Sequence, residues 1–557
     1  VSSATADDGH FVLPAGLTSP QREAVTDPGP LLSVLAGAGA GKTRVLTLRV
    51  ARRVHDASAE PEHVLVATFS RKAATELRRR LYGLEVGGIE AGTFHRIALS
   101  LILRQRADRR AAPPTVLADR RPLLSRVLGG NSAKPRGAAA RAGAPTPPGP
   151  GQPSVSQLDN EVGWAKARML APEAYEDAAR RAGRRTTASP VAIAEYYERY
   201  EVLRQRQGAL DLDDLLWRCA DMLESDTAFA DAVRWRFRHL FVDEMQDVNP
   251  AQFRLLGFLL GDEPDLFVVG DPNQSVYGWN GADPTLLRQL PELFPGTRVI
   301  RLEENHRSSP QVVAVAAAAL GSAADGAPTS SRPDGSVPRV VAHATDDEEA
   351  SWVANQVWRA HKPGRRWSQI AVLARTNAQL QAVAEALGQA HIPYQLAGGE
   401  AGPASDVRAE LTASAGEEEE EEGEDGPAGA GPAESGADGV VLATFHRAKG
   451  LEWPAVFVIG ASDGLVPIAS ARTAAQREEE RRLLYVALTR AVDELTCTWA
   501  AAPSDASRRS PRQPSPWLAA VERACASFES AARMAGPEAV SAHLASMRAQ
   551  LDAEGLG

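Results

Sequence analysis

Apolar positions along this chain fall into short continuous runs separated by stretches with helical spacing. Leu31 to Leu35 reads as a buried parallel strand, and TRVLTLRVARRV (43–54) repeats its apolar residues at the helical period. VLVATF (64–69) is the second clear strand, so strand and helix alternate from Val1 to about residue 103, the opening of a parallel α/β domain. Between 104 and 208 strand signals vanish. Helices rich in Ala, Arg and Glu take over, and a Pro/Gly/Ala-rich stretch at 129–155 is expected to loop out disordered. The α/β pattern returns over 209–300 with HLFVDE (239–244), LFVVGD (266–271) and RVIRL (298–302), which makes the first domain discontinuous. A second series occupies 301–401 and 440–500, with PRVVAH, IAVLAR, VVLATF, AVFVIG and ELTCTWA as its strands. Residues 402–439, acidic and rich in Gly and Pro, hold too few apolar side chains to bury a core and read as a linker. Residues 501–557 read as a tail with short helices.

Composition changes this picture little. The chain has 557 residues, 44% hydrophobic and 24% charged, an ordinary soluble balance. No apolar run is long enough to cross a membrane, and the first residues lack a signal-peptide pattern, so the expected location is cytoplasmic and nucleoid-associated. Cys219, Cys497 and Cys525 are scattered without a C-x-x-C pair, which supports neither a disulfide framework nor a zinc or iron–sulfur site. The net charge of -10 argues only weakly against a nucleic-acid partner, because eight acids lie in EEEEEEGED (417–425) and the remainder is close to neutral. Basic clusters stand at RKAATELRRR (71–80), RRAGRR (180–185) and RRSPRQ (508–513), each readable alone as a solvated face.

Candidate chemistry begins at LLSVLAGAGAGKT (31–43). Strand, glycine loop and helix make a phosphate cradle over Ala36, Gly37, Ala38, Gly39, Ala40 and Gly41. Here the helix N-terminus adds partial positive charge, Lys42 reaches the β/γ-phosphates and Thr43 is a Mg²⁺ ligand. Ala36 departs from the general pattern, which has Gly there. The strand HLFVDEMQD ends in two acids. Asp243 suits Mg²⁺ binding, and Glu244 suits orienting or deprotonating a water in ATP hydrolysis.

Taken in order, LTSPQREAV (17–25), AGAGAGKT (36–43), ATFSRKAATELRRR (67–80), GTFHR (92–96), FVDEMQD (241–247), VVGDPNQSVYGWNGAD (268–283), LEENHRSSP (302–310), ATFHRAKGLEWPAVFVIG (443–460) and EEERRLLYVALTRA (478–491) resemble the motif series of UvrD/Rep/PcrA-type superfamily 1A DNA helicases. Ala36 is the form that family uses. The resemblance implies two RecA-like P-loop motor domains with parallel sheets and a helical insertion (1B) in the first. It also implies that Gln21 reads the adenine edge, Arg44 lies by the nucleotide, His306 packs on the adenine and Glu452 holds the ribose. Gln274 senses the γ-phosphate, while Arg307 and Arg490 neutralise charge on the transferring phosphoryl group, so catalysis requires domain closure. Phe69, Tyr277 and Trp279 are the matching stacking aromatics for single-stranded DNA, with His95, Arg375 and His446 as backbone or base contacts.

Several positions depart from the family pattern. Asn280 stands where Arg is usual, His306 where Tyr is frequent, Met245 where an aromatic is usual and Leu212 where Phe would offer a base platform. About forty residues separate Gly399 from Val440, too few for the family's 2B subdomain, so that insertion is expected to be missing. The implied activity is an ATP- and Mg²⁺-dependent 3′–5′ DNA helicase or translocase. It would act on single strands and ss/ds junctions, in DNA repair or replication restart, with repair proteins as candidate partners. A motor subunit of a helicase–nuclease complex, a DNA-binding scaffold with weak motor activity and an RNA substrate remain as alternatives.

Overall fold

The computed structural model describes residues 11–129, 151–321, 328–397, 438–504 and 511–534. Most of the 129–155 loop, the acidic segment and the end of the tail lie outside the described residues. By contacts the chain divides into two compact units. One holds the residues up to 36 and 41–302; the other holds 37–40 and the chain from 303 onward, residues 399–427 aside.

The first unit is built on a six-stranded sheet. Its strands are β1 (Leu31–Ala36), β2 (Val64–Thr68), β3 (Glu90–Thr93), β6 (His239–Val242), β7 (Leu266–Gly270) and β8 (Arg298–Leu302), in the order β3-β2-β6-β7-β1-β8. Every pair is parallel, with Leu31 opposite Leu266, Leu32 opposite Arg298 and Val64 opposite His239. Helices cover the sheet, which is why its strands read as nearly unbroken apolar runs. The helices Phe94–Asp108, Leu212–Ser225 and Pro250–Leu260 bury Ile97, Leu101, Leu215, Cys219, Leu255 and Leu259 with Val242 and Val268 of the sheet. Each such side chain contributes roughly 1.5–3 kcal/mol. The entry to β1 is tied by Arg49, only 2% exposed, whose guanidinium donates to the carbonyls of Ala24 (3.0 Å), Asp27 (2.8 Å) and Gly29 (3.0 Å).

The insertion carries its own core of Leu124, Leu158, Val162, Trp164, Tyr175, Ile193, Tyr197 and Tyr200. Strand signals do not vanish there altogether: β4 (Thr115–Leu117) pairs in parallel with β5 (Ala209–Asp211). These three-residue strands are too short to show a period. The preceding helix also runs on to Asp108, past residue 104 where the composition shifts. At the base of the insertion Lys166 is enclosed by Asp211 (2.7 Å), Asp214 (2.7 Å) and Glu201 (2.7 Å), while Arg120 binds Asp159 (2.6 Å) and Asp213 (2.7 Å). Burial penalises the Asp211 carboxylate, but Lys166 and Arg120 outweigh it and hold that carboxyl well below its usual range. Asp214, buried beside Asp211, is pushed up to about 6. Buried charges persist only when paired, and each of these carboxylates contacts Lys166 or Arg120.

The second unit has its own six-stranded parallel sheet. Its strands are β11 (Arg339–Thr345), β12 (Ile370–Ala374), β13 (Tyr394–Leu396), β14 (Val440–Thr444), β15 (Trp453–Val458) and β16 (Ala491–Ala502), ordered β11-β16-β15-β12-β14-β13. A two-stranded parallel ladder, β9 (Glu304–Asn305) with β10 (Thr329–Ser330), stands beside it in sequence. The helices Asp346–Ala360 and Asn377–Gln389 pack Val353, Val357, Val383 and Leu387 against Ile370, Val372 and Leu442. All three cysteines are buried and free, as expected of apolar fillers. No helix among the described residues is long and apolar enough to cross a membrane.

Candidate nucleotide and nucleic-acid sites

In the first unit the candidate phosphate residues follow β1. Gly41 adopts φ +82°, open to glycine at little cost, and caps the helix Lys42–His55 with no side-chain hydrogen bond. The first amides of that helix therefore keep their donors for an anion. Lys42 Nζ donates to the Ala36 carbonyl at 3.4 Å. Thr43 occupies the first turn of this helix, and Arg44 Nη2 donates to the Ala15 carbonyl at 3.5 Å. Gln21 is 1% exposed, locked in a reciprocal cap with Thr18 (3.1 and 3.3 Å). Its amide nitrogen lies where a Cβ on Gly41 would meet it at 3.0 Å, so only glycine fits there without displacement.

The acidic pair stands at the carboxyl end of β6. Asp243 NH donates to the Ala67 carbonyl at 2.9 Å, and Asp243 Oδ1 accepts from Glu244 NH at 3.0 Å. Burial, reinforced by the neighbouring Glu244 carboxylate and only partly offset by Lys42, pushes Asp243 up to about 7. Glu244 has φ +54°, uncommon for a residue with a side chain. Its carboxylate accepts from Gln246 Nε2. Gln246 is a link that sequence reasoning did not assign. It is fully buried, and its Oε1 accepts from Asp271 NH at 2.9 Å. Asp271 in turn accepts from Gln274 Nε2 at 2.6 Å, and burial raises its carboxyl too. Glu244 is thereby wired through Gln246 and Asp271 to Gln274. Gly270 makes room for the link, since a Cβ there would meet Gln246 Oε1 at 2.7 Å. An uncapped helix start, a nearby ammonium and a buried carboxylate held near neutrality fit a triphosphate with a divalent cation. Thr43 and Asp243 are the residues here suited to that cation.

The aromatics stand near these residues in the chain. Phe69, one residue past β2, stacks on Tyr277 with centroids 4.8 Å apart and planes at 17°. Trp279 lies 6.5 Å from Tyr277 and is 46% exposed. His95 is buried in the first turn of the helix Phe94–Asp108. Leu212 packs against the core of the unit, and Met245 is fully buried in it.

In the second unit, which includes residues 37–40, the Ala38 carbonyl accepts from Asn305 Nδ2 at 2.7 Å and the Gly39 carbonyl from His306 NH at 3.0 Å. His306 Nδ1 contacts Ser331 Oγ at 2.7 Å. Arg307 and Glu452, expected to serve phosphate and ribose, form an ion pair. Arg490 is 1% exposed, and its guanidinium donates to the carbonyls of Val486 (2.8 Å) and Leu451 (3.1 Å). Arg375 is engaged by Glu480 in a forked pair at 2.6–3.1 Å, a partner no sequence pattern flagged. His446 is driven down to about 4 by burial and then by Arg375 and Lys449, so its ring is neutral at physiological pH.

Two parallel sheets, one following β1 with a glycine-rich phosphate cradle and β6 with an acidic pair, define a mixed α/β protein with two RecA-like helicase domains. The comparisons agree. Residues 17–295 match the UvrD/REP helicase N-terminal domain, and residues 300–401 and 431–502 match the UvrD-like helicase C-terminal domain. The chain belongs to the UvrD/REP helicase family. It is 37% identical to the ATP-dependent DNA helicase UvrD2 of Mycobacterium tuberculosis, over 90% of this chain and 81% of that protein. It is 32% identical to the ATP-dependent DNA helicase PcrA of Staphylococcus epidermidis (69% and 51%) and 26% identical to DNA helicase II of Escherichia coli K12 (87% and 84%).

Proposed function

We propose that this chain is an ATP- and Mg²⁺-dependent DNA motor that moves 3′ to 5′ on single strands, engages ss/ds junctions and serves DNA repair or replication restart in the cytoplasm. The observation that carries the reading is the chain of contacts Glu244–Gln246–Asp271–Gln274, which joins the acid suited to activating water to the residue suited to sensing the γ-phosphate. In this reading Thr43 and Asp243 hold the cation, which supplies charge neutralisation on the phosphates. Lys42, Arg307 and Arg490 bind the phosphoryl oxygens, Glu244 takes the proton of the attacking water, and Gln21, Arg44, His306 and Glu452 orient the nucleoside. Phe69, Tyr277 and Trp279 stack on bases without reading their identity. His95 and His446 add hydrogen bonds, and Arg375 adds charge where Glu480 does not neutralise it. Residues 104–208 form the 1B-type insertion, and the break in the family match between 401 and 431 supports the absence of a 2B-type insertion.

The test is ATP turnover with and without single-stranded DNA, followed by strand displacement from 3′- and 5′-tailed duplexes. Lys42→Ala and Glu244→Gln should each abolish DNA-stimulated turnover while sparing DNA binding. Undiminished turnover in both variants refutes the mechanism, and displacement confined to 5′-tailed duplexes refutes the polarity.

A further inference from the structure

The basic run RRAGRR (180–185) has no part in the nucleotide chemistry, yet one of its members reaches the aromatic row. Arg184 Nη1 donates to the main-chain carbonyl of Trp279 at 3.3 Å. The same guanidinium is gripped by Glu161, with Nε to Oε2 at 2.6 Å and Nη2 to Oε1 at 2.9 Å, and it lies over the Trp164 ring at 4.5 Å. Tyr175 Oη donates to Glu161 Oε2 at 2.6 Å, fixing the carboxylate from its other side. Glu161 and Trp164 both lie on the helix Val155–Ala167 of the insertion. That helix also seats the rest of the Trp279 turn. Gly281, at φ +94°, comes so close that a Cβ would meet Ala167 Cβ at 2.6 Å, and Arg168 pairs with Asp283 at 3.5 Å.

We propose that Arg184 is a positioning residue for the nucleic-acid platform: held by Glu161 and Trp164, it fixes the main chain of the exposed Trp279 and so sets the face on which a base stacks. The side chain of Arg184 is 15% exposed and its donors are directed at Glu161 and the Trp279 carbonyl, so it acts through Trp279. The insertion thereby serves the motor domain as the rear support of its aromatic row. The inference rests on the reading of Trp279 as a base-stacking residue.

The experiment uses the full chain with Arg184→Ala, the conservative Arg184→Lys, Trp279→Ala and the Ala/Ala double variant. Affinity for fluorescent oligo(dT) and amide hydrogen exchange of residues 276–282 without DNA are both measured. Arg184→Ala should weaken oligo(dT) binding by about tenfold, the scale of one charge-assisted hydrogen bond. It should speed exchange in the 276–282 turn and leave DNA-free ATP turnover unchanged. Arg184→Lys should recover part of the affinity. In the Trp279→Ala background the loss from Arg184→Ala should vanish, because the two act in series. Additive losses, or turn exchange identical to the parent chain, overturn the positioning role. An unaltered affinity in Trp279→Ala together with faster turn exchange in Arg184→Ala instead overturns the stacking reading, and with it the proposal's bearing on DNA.

Discussion

In the proposed function Asp243 holds the cation, and its burial then sets function against stability by an amount that can be sized. A carboxyl near 4 in the unfolded chain and near 7 in the fold binds its proton more tightly when folded. Below pH 4 both states are protonated and nothing is lost. Between 4 and 7 the unfolded chain gives up a proton that the folded chain keeps, so stability falls with rising pH, and above 7 the full penalty is present. At about 1.4 kcal/mol per decade this amounts to roughly 4 kcal/mol. An asparagine side chain at this position would keep an oxygen to accept the Glu244 amide and carry no charge. Asp243→Asn should therefore raise stability over the parent by about 2–4 kcal/mol at pH 8 and by far less at pH 4.5, while abolishing ATP hydrolysis. Urea unfolding of both proteins at the two pH values reads the difference directly, cancelling the titrating groups that do not interact with Asp243; Glu244, which does, contributes to the difference. Mg²⁺ at millimolar concentration should raise the parent's midpoint at pH 8 and leave the variant's unmoved. A variant-minus-parent difference that is the same at both pH values would falsify the assignment of strain to this carboxyl.

Two further outcomes follow from buried groups. Arg49→Met should leave the carbonyls of Ala24, Asp27 and Gly29 without their buried donor and cost about 3–5 kcal/mol, read as a fall in the urea midpoint; a loss under about 1 kcal/mol would show that water replaces the guanidinium. His446, held near 4 against about 6.5 when unfolded, stays neutral in the fold while the unfolded chain takes up a proton, so stability should decline as pH falls from about 6.5 to about 4. His446→Gln should remove that part of the acid sensitivity, and an unchanged stability profile between pH 4 and 7 would refute it.

The strong strands were legible because a fully buried parallel strand is a continuous apolar run, as LLSVL and IAVLA are. β3 (EAGT) and β13 (YQL) were not, since four or three residues carrying Glu, Gly or Gln show neither a run nor an alternation. The phosphate loop and the acid pair could be read because their chemistry is local in sequence. Gln246 was in plain view within FVDEMQD, but its partner Asp271 lies 25 residues away, and nothing in either segment points to the other. The Lys166 enclosure and the Arg375–Glu480 pair are hidden for the same reason, with partners 45 and 105 positions apart. Arg184 looked like any solvated arginine in a basic run until its carboxylate and ring were seen around it.

The strand order of the first sheet has a consequence for how the protein comes into being. β1 pairs only with β7 and β8, more than two hundred residues downstream, whereas β2 and β3 can pair as soon as they are made. The Lys166 enclosure needs nothing beyond Asp214, so the insertion can close on the ribosome while β1 still has no neighbour on either side. The strand that carries the phosphate loop is thus the last to be housed. A nascent chain is therefore expected to gain affinity for nucleotide at the proposed site only once β7 and β8 have been made, so nucleotide capture by stalled ribosome complexes would time completion of the first sheet.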